Sequence, residues 1–211
     1  MKLKGNSEIY IDELSWDYEA DHFVNEPINF GDKIIFLPCL YFDHYEASSN
    51  NRTFFSHIVA NIYEFNFRPI KRFKSNLHKG CYHYLFELDE NLTVFHFNFT
   101  KKYKDYLQVN QYYSGFGELR CSAGDPSLEN SFIDSDSIKQ ITQKGIIDEI
   151  FVAYNFIWDS SDHPLSEFGY PEDFKKFKSL SIQLKPIRTL NSTKEKDGHG
   201  NHIVFKVNLV R

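Results

Sequence analysis

Residues 52–65 read Arg-Thr-Phe-Phe-Ser-His-Ile-Val-Ala-Asn-Ile-Tyr-Glu-Phe, and the fold class turns on them. Apolar residues fall at Phe54, Phe55, Ile58, Val59, Ile62 and Phe65. Polar ones fall at Ser56, His57, Asn61 and Glu64, with Ala60 neutral. That spacing follows a 3.6-residue period rather than strict alternation, which predicts a helix. Asn51 or Thr53 would cap its start. The β-branched and aromatic residues in it favour a strand, which is the competing reading.

Outward from this stretch the pattern is mostly strand-like. Ile9-Tyr10-Ile11 reads as a short strand, and 33–45 as a stronger one with apolar residues on both faces. Pro38 lies inside the latter and has no N–H to donate, so it predicts an edge, a bulge or two shorter strands. In 80–99, Tyr82, Tyr84, Phe86 and Leu88 alternate on the way in, and Thr93, Phe95, Phe97 and Phe99 on the way out. With Asp89-Glu90-Asn91 between them, this is a hairpin. Residues 106–113 and 118–122 extend it into an antiparallel meander over 80–122, punctuated by Gly115-Phe116-Gly117.

Two further helices are expected. One spans 134–144 with Gly145 as its stop, and a short one follows Pro171 through Lys178. Alternation from Ile150 to Trp158 favours a strand over a long helix continuing from 134. Leu180, Ile182 and Leu184, then Ile203, Phe205, Val207 and Leu209, predict a C-terminal hairpin over 179–211. No repeat or linker divides the chain. The expected fold is one α+β domain over 1–211, with a mostly antiparallel sheet and two or three helices.

Composition narrows the class. The 211 residues include 21 Phe, 13 Tyr and 2 Trp, which excludes disorder. Rings fall on both faces of the 80–113 region, so its sheet needs cover on both sides. No apolar run approaches the roughly 20 residues of a membrane-spanning helix, and no membrane partner is expected. Asn6, Ser7 and Glu8 follow the first lysines where an export signal would be apolar. Cys39, Cys81 and Cys121 are odd in number and far apart, unlike a disulfide framework. A cytoplasmic setting is expected.

Charge is segregated within a net of −5. Residues 5–32 carry Glu8, Asp12, Glu13, Asp17, Glu19, Asp21, Glu26 and Asp32 with no Lys or Arg. Residues 68–79 carry Arg68, Lys71, Arg72, Lys74 and Lys79 with no acid. Such separation can steer a charged partner, although charge runs are more often solvated faces.

No phosphate-binding loop, dinucleotide fingerprint, nucleophile elbow, His-Glu-x-x-His or Cys-x-x-Cys occurs. His78, Cys81 and His83 have the ligand types of a zinc site. The commoner reading is a core histidine and a buried thiol, so no metal and no cofactor are expected. Asp159, Asp162 and His163, with Glu167 close by, could do acid–base work, but they also suit an ordinary turn. The basic–aromatic region 68–84, joined by Lys101, Lys102 and Lys104, has the residue types that hold single-stranded nucleic acid. The net negative charge argues against that.

None of these motifs is specific enough to carry a family resemblance. The leading expectation is a non-enzymatic, cytosolic binding protein of inhibitor or immunity type. Asp12, Glu13, Trp16, Asp17, Tyr18, Glu19 and Asp21 would engage a basic protein partner, with carboxylates for charge and rings as anchors. The alternative is a hydrolase acting on a phosphate- or sugar-containing ligand. Tyr82, Tyr84 and His96 would line its pocket, with His83 or His163 as the acid–base group. A homo-oligomer with an aromatic interface is the third reading.

Overall fold

Strands dominate wherever apolar and polar residues alternate. The computed structural model describes residues 8–12, 16–17, 22–23, 28–42, 45–75, 82–89, 92–96, 107–122, 142–154, 183–190 and 202–210. They form β1 (Glu8–Asp12), β2 (Trp16–Asp17), β3 (His22–Phe23), β4 (Ile28–Asn29), β5 (Lys33–Tyr41), β6 (Tyr45–Ala47), β7 (Phe54–Val59) and β8 (Ile62–Lys74). There follow β9 (Tyr82–Asp89), β10 (Leu92–His96), β11 (Tyr113–Ser122), β12 (Gln143–Tyr154), β13 (Gln183–Ile187), β14 (Thr189–Leu190) and β15 (His202–Val210). No helix occurs among the described residues, so the α+β expectation with two or three helices is overturned: the fold is nearly all β, with a mixed sheet.

The decisive stretch is a hairpin, not a helix. β7 and β8 pair antiparallel, with Val59 opposite Ile62 and Ala60-Asn61 as the turn. Ala60 adopts a φ of 51°, a region that its Cβ disfavours and that Gly or Asn usually fills. A ladder irregularity between His57 and Val59 also shifts the alternation. A turn that places Ala60 rather than Gly or Asn at positive φ, next to a bulge, therefore produced an apparent 3.6-residue spacing.

That turn is fully buried, where turns usually face solvent. Ala60 and Ile62 pack on Ala153 and Val204. Leu119 N–H donates to the Asn61 carbonyl at 2.8 Å, which ties the turn to β11.

The strand pairings close into two circuits of five strands each. The first runs β12–β15–β1–β11–β5 and back to β12. The second runs β11–β8–β9–β10–β5 and back to β11. They share the β5–β11 pair, because each of these strands gives one end to each circuit. In β5, residues 33–36 pair with β12 and residues 37–40 with β11. Pro38 sits near this change of partner in one continuous strand. Gly117 of β11 is required near the junction, since a Cβ there would lie 2.3 Å from the Tyr41 carbonyl oxygen.

One core runs through both circuits. Ile9, Ile11, Phe36, Ile147, Ile150, Val152, Ile203, Phe205 and Val207 come from the first. Leu40, Phe65, Phe67, Tyr84, Phe86, Leu88, Leu92, Val94 and Tyr113 come from the second. The opposite face of β5, β9 and β10 is buried too, through Leu37, Cys39, Leu85 and Phe95 with Phe73. Cover on both faces, expected from the aromatic pattern, is thus found.

Several local expectations are corrected. The 80–99 hairpin forms as β9–β10, and Asp89 Oδ1 accepts from Leu92 N–H at 2.8 Å in its turn. The meander does not continue from it. Residues 107–112 are not a strand, and β11 absorbs Gly115-Phe116-Gly117 and pairs with β5 and β8 rather than β10. β13 and β15 do not pair as a C-terminal hairpin; both pair with β12, which lies between them. Gln143, Lys144 and Gly145 lie in β12, so the 134–144 helix cannot reach its expected end. Thr142 is described and not helical, and residues 134–141, residues 155–158 and the 171–178 helix lie outside the described residues.

Candidate functional site

The outer face of the first circuit gathers an ionic cluster. Lys206 alternates with inward Phe205 and Val207 and so points out from β15. Its Nζ lies 2.9 Å from Asp148 Oδ2, 3.0 Å from Glu149 Oε1 and 3.3 Å from Glu8 Oε2. Adjacent acids can both reach it because the β12–β15 register shifts between Ile147 and Glu149. Asp148 is the extra residue of that bulge, so two β12 residues face one on β15. The sequence carried a signal for this that went unread: Ile146-Ile147-Asp148-Glu149-Ile150 breaks alternation with paired apolar and paired acidic residues.

The hydrogen bonds that the Lys206 ammonium donates to Asp148 and Glu149 hold its pKa above the usual lysine range. Among the described residues, three carboxylates around one ammonium leave two negative charges uncompensated. Glu8 continues along β1 toward Asp12, which pairs with Val204 of β15 and Arg120 of β11.

Beside this cluster, Tyr10 stacks on His57 at 4.1 Å with the planes 9° apart. His57 Nε2 is 2.8 Å from the Ala60 carbonyl oxygen, so that nitrogen carries the proton. Burial lowers the His57 pKa. Tyr63 OH, from β8, accepts from Tyr10 N–H at 2.6 Å and donates to the Tyr10 carbonyl at 3.3 Å. Burial pushes the Tyr63 phenol well above its ordinary value.

The expected site residues are spread differently. Asp12, Trp16 and Asp17 lie in β1 and β2, and β2 pairs with β3 through Trp16–Phe23 and Asp17–His22. Glu13, Tyr18, Glu19 and Asp21 lie outside the described residues. So do His78 and Cys81, and Asp159, Asp162 and His163. Among the described residues no group of three or more His, Cys, Asp and Glu could hold a metal ion.

His83 is fully buried in β9, 6.0 Å from the Phe95 ring. Tyr84 is buried as well, whereas Tyr82 is half-buried. His96 stacks on Phe42 at 4.4 Å, and its Nδ1 lies 2.9 Å from the Leu40 carbonyl oxygen. Burial lowers its pKa to about 4, so the ring is neutral at ordinary pH. Of the three residues proposed to line one pocket, Tyr84 is buried and Tyr82 and His96 are half-buried.

No family model, curated protein or solved structure matches this chain.

The basic stretch on β8 is partly engaged within the protein. Arg68 pairs with Glu87. The Arg72 guanidinium lies 4.5 Å from the Tyr82 ring centroid and Lys71 Nζ 4.6 Å from that of Phe73. Phe73 and Tyr82, two rings of this basic–aromatic region, thus already carry a cation.

Proposed function

We propose that the protein is a non-enzymatic binding protein whose acidic face engages a basic protein partner, with inhibition of a basic enzyme or toxin as the sharpest form. The observation that carries this is the excess of carboxylate around Lys206 on the outer face of the first circuit. Glu8, Asp148 and Glu149 exceed its charge, and β1 leads from Glu8 toward Asp12 and the acidic run beyond. Such a surface raises encounter rates with a cationic partner and disfavours acidic ones. The burial of His83 counts against the hydrolase alternative. A cytosolic setting belongs to the same reading, and the buried thiols of Cys39 and Cys121 are compatible with it.

The test is inhibition of a panel of purified basic nucleases by the full chain. Stoichiometric inhibition of at least one member should be weakened by Asp12→Lys, Asp17→Lys and Asp21→Lys together, and more strongly at low salt. Inhibition that ignores the triple reversal would sink the acidic-face assignment. No inhibition of any panel member would sink the inhibitor form.

A further inference from the structure

One end of the second circuit collects positive charge. β8 ends at Lys74, β9 begins at Tyr82 and β10 ends at His96, so three neighbouring strands stop there together. Their registers set Arg72 opposite Tyr84 and Tyr84 opposite His96, with Lys74 opposite Tyr82 two residues further out. Side chains of directly paired residues share a face. Arg72, Lys74 and Tyr82 therefore form a rim over buried Tyr84 and half-buried His96. Lys71 points to the other face of β8, where its Nζ lies 4.6 Å from the Phe73 ring centroid.

Lys71, Arg72 and Lys74 are all exposed. No acid occurs in residues 82–86 of β9, which pair with this end of β8, or in β10 beyond them. Glu87 is the first acid along β9, and Arg68 already pairs with it. Glu8, Asp148 and Glu149 stand on the first circuit around Lys206. The net charge of −5 therefore does not describe this rim. The rim also presents a plane. The Arg72 guanidinium lies 4.5 Å from the Tyr82 ring centroid. Arg72 is exposed and Tyr82 half-buried, so the guanidinium caps the ring on its solvent side. A ring holds a cation without neutralising it. The guanidinium keeps its charge, and its face turned away from Tyr82 is a surface on which a second flat ring can stack.

We propose that this rim binds single-stranded nucleic acid, with one base stacked on the Arg72–Tyr82 pair and the flanking phosphates held by Lys71 and Lys74. Those two lysines stand about 10 Å apart along the strand, on either side of Arg72. Single strands are the matching partner because stacking needs an unpaired base, whereas a duplex offers the rim only phosphates. Every base has a flat face, so binding is tolerant of sequence. Three cations make it weak and salt-sensitive. The proposal goes beyond the acidic-face binding above and concerns a different circuit.

Fluorescence anisotropy of a labelled oligothymidylate, titrated with the full chain to about 1 mM at low salt, should show saturable binding. Its association constant should fall with salt at a log–log slope of roughly −2. Lys71→Glu and Lys74→Glu together should weaken binding about tenfold or more and flatten that slope. Arg72→Lys keeps the charge and loses the plane, so it should weaken binding about fivefold and leave the slope unchanged. The three residues are exposed, so these variants should keep the wild-type urea midpoint. No binding at the highest concentration overturns the proposal. Binding indifferent to the double reversal also overturns it, because the oligonucleotide then sits elsewhere on the chain. If Arg72→Lys binds as tightly as the wild type, or inorganic polyphosphate binds as tightly as the oligonucleotide, the rim takes any polyanion and the nucleic-acid assignment falls. None of these results depends on nuclease inhibition, so the two readings fail separately.

Discussion

The two circuits share two strands and one continuous core, yet they fill it with different side chains. The first is lined mainly by aliphatics: Ile9, Ile11, Ile147, Ile150, Val152, Ile203 and Val207. The second sets Leu40, Leu88, Leu92 and Val94 beside a cluster of rings, Phe65, Phe67, Tyr84, Phe86 and Tyr113, with Phe42 and His96 stacked among them. Phe67 lies 4.4 Å from Phe86 and 5.6 Å from Tyr113, so ring–ring contacts run through it. A small circuit can be filled by many β-branched residues or by fewer large rings. The second solution places more of the stability in each residue.

The comparison breaks most directly by emptying each circuit in turn. Phe86→Ala should cost about 3–5 kcal/mol, at the upper end because its ring contacts with Phe67 and Tyr84 go with it. Ile147→Ala in the first circuit should cost about 3 kcal/mol. Urea denaturation of both variants checks this. If Ile147→Ala proved as damaging as Phe86→Ala, the aromatic circuit would have no special share of the stability.

A second difference is sensitivity to acid. His96 is held neutral inside the second circuit with a pKa near 4, against 6.5 when unfolded. The unfolded chain therefore binds more protons between these values, and stability rises with pH across them. The contribution is fully present above about pH 6.5 and is lost as pH falls toward 4. Because the residue is only half-buried, its size is put at ~2 kcal/mol. Stability followed from pH 7.5 down to 4.5 should fall more steeply in the wild type than in His96→Phe. His57 is shifted in the same direction, so a residual slope should remain. Equal slopes would remove His96 from the account.

What was legible in the sequence follows the same division. Alternation located β9, β10 and β15 well, since a strand with one face in the core repeats every two residues. It could not say which strands meet. β10 beside β5 and β1 beside β11 are parallel contacts between distant segments, and nothing local encodes them. The β7–β8 hairpin was missed because Ala60 supplies no turn signal and takes its positive φ under the grip of His57 and β11. The acidic character of the candidate site was readable from Glu8 and Asp12. Its centre was not, because Lys206 is one outward residue among several on β15, and only the bulge brings Asp148 and Glu149 to it.

The smallest effect concerns the seam between the circuits. The edge of β1 that faces β8 has only one ladder pair, Asp12 with Arg120, so the N–H and carbonyl of Tyr10 turn to Tyr63 OH instead. One phenol satisfies two backbone groups that would otherwise need a strand. Tyr63→Phe keeps the ring packed against Phe55 and removes only the hydroxyl. The cost should be about 1–2 kcal/mol, low for two lost hydrogen bonds because half-buried Tyr10 can recruit water. Amide exchange locates the loss more sharply than the midpoint does. If the circuits are joined mainly through the shared β5–β11 pair, exchange should quicken at Tyr10 while Phe86 stays protected. Equal quickening at both would mean that one hydroxyl holds the aliphatic and aromatic halves in a single cooperative unit.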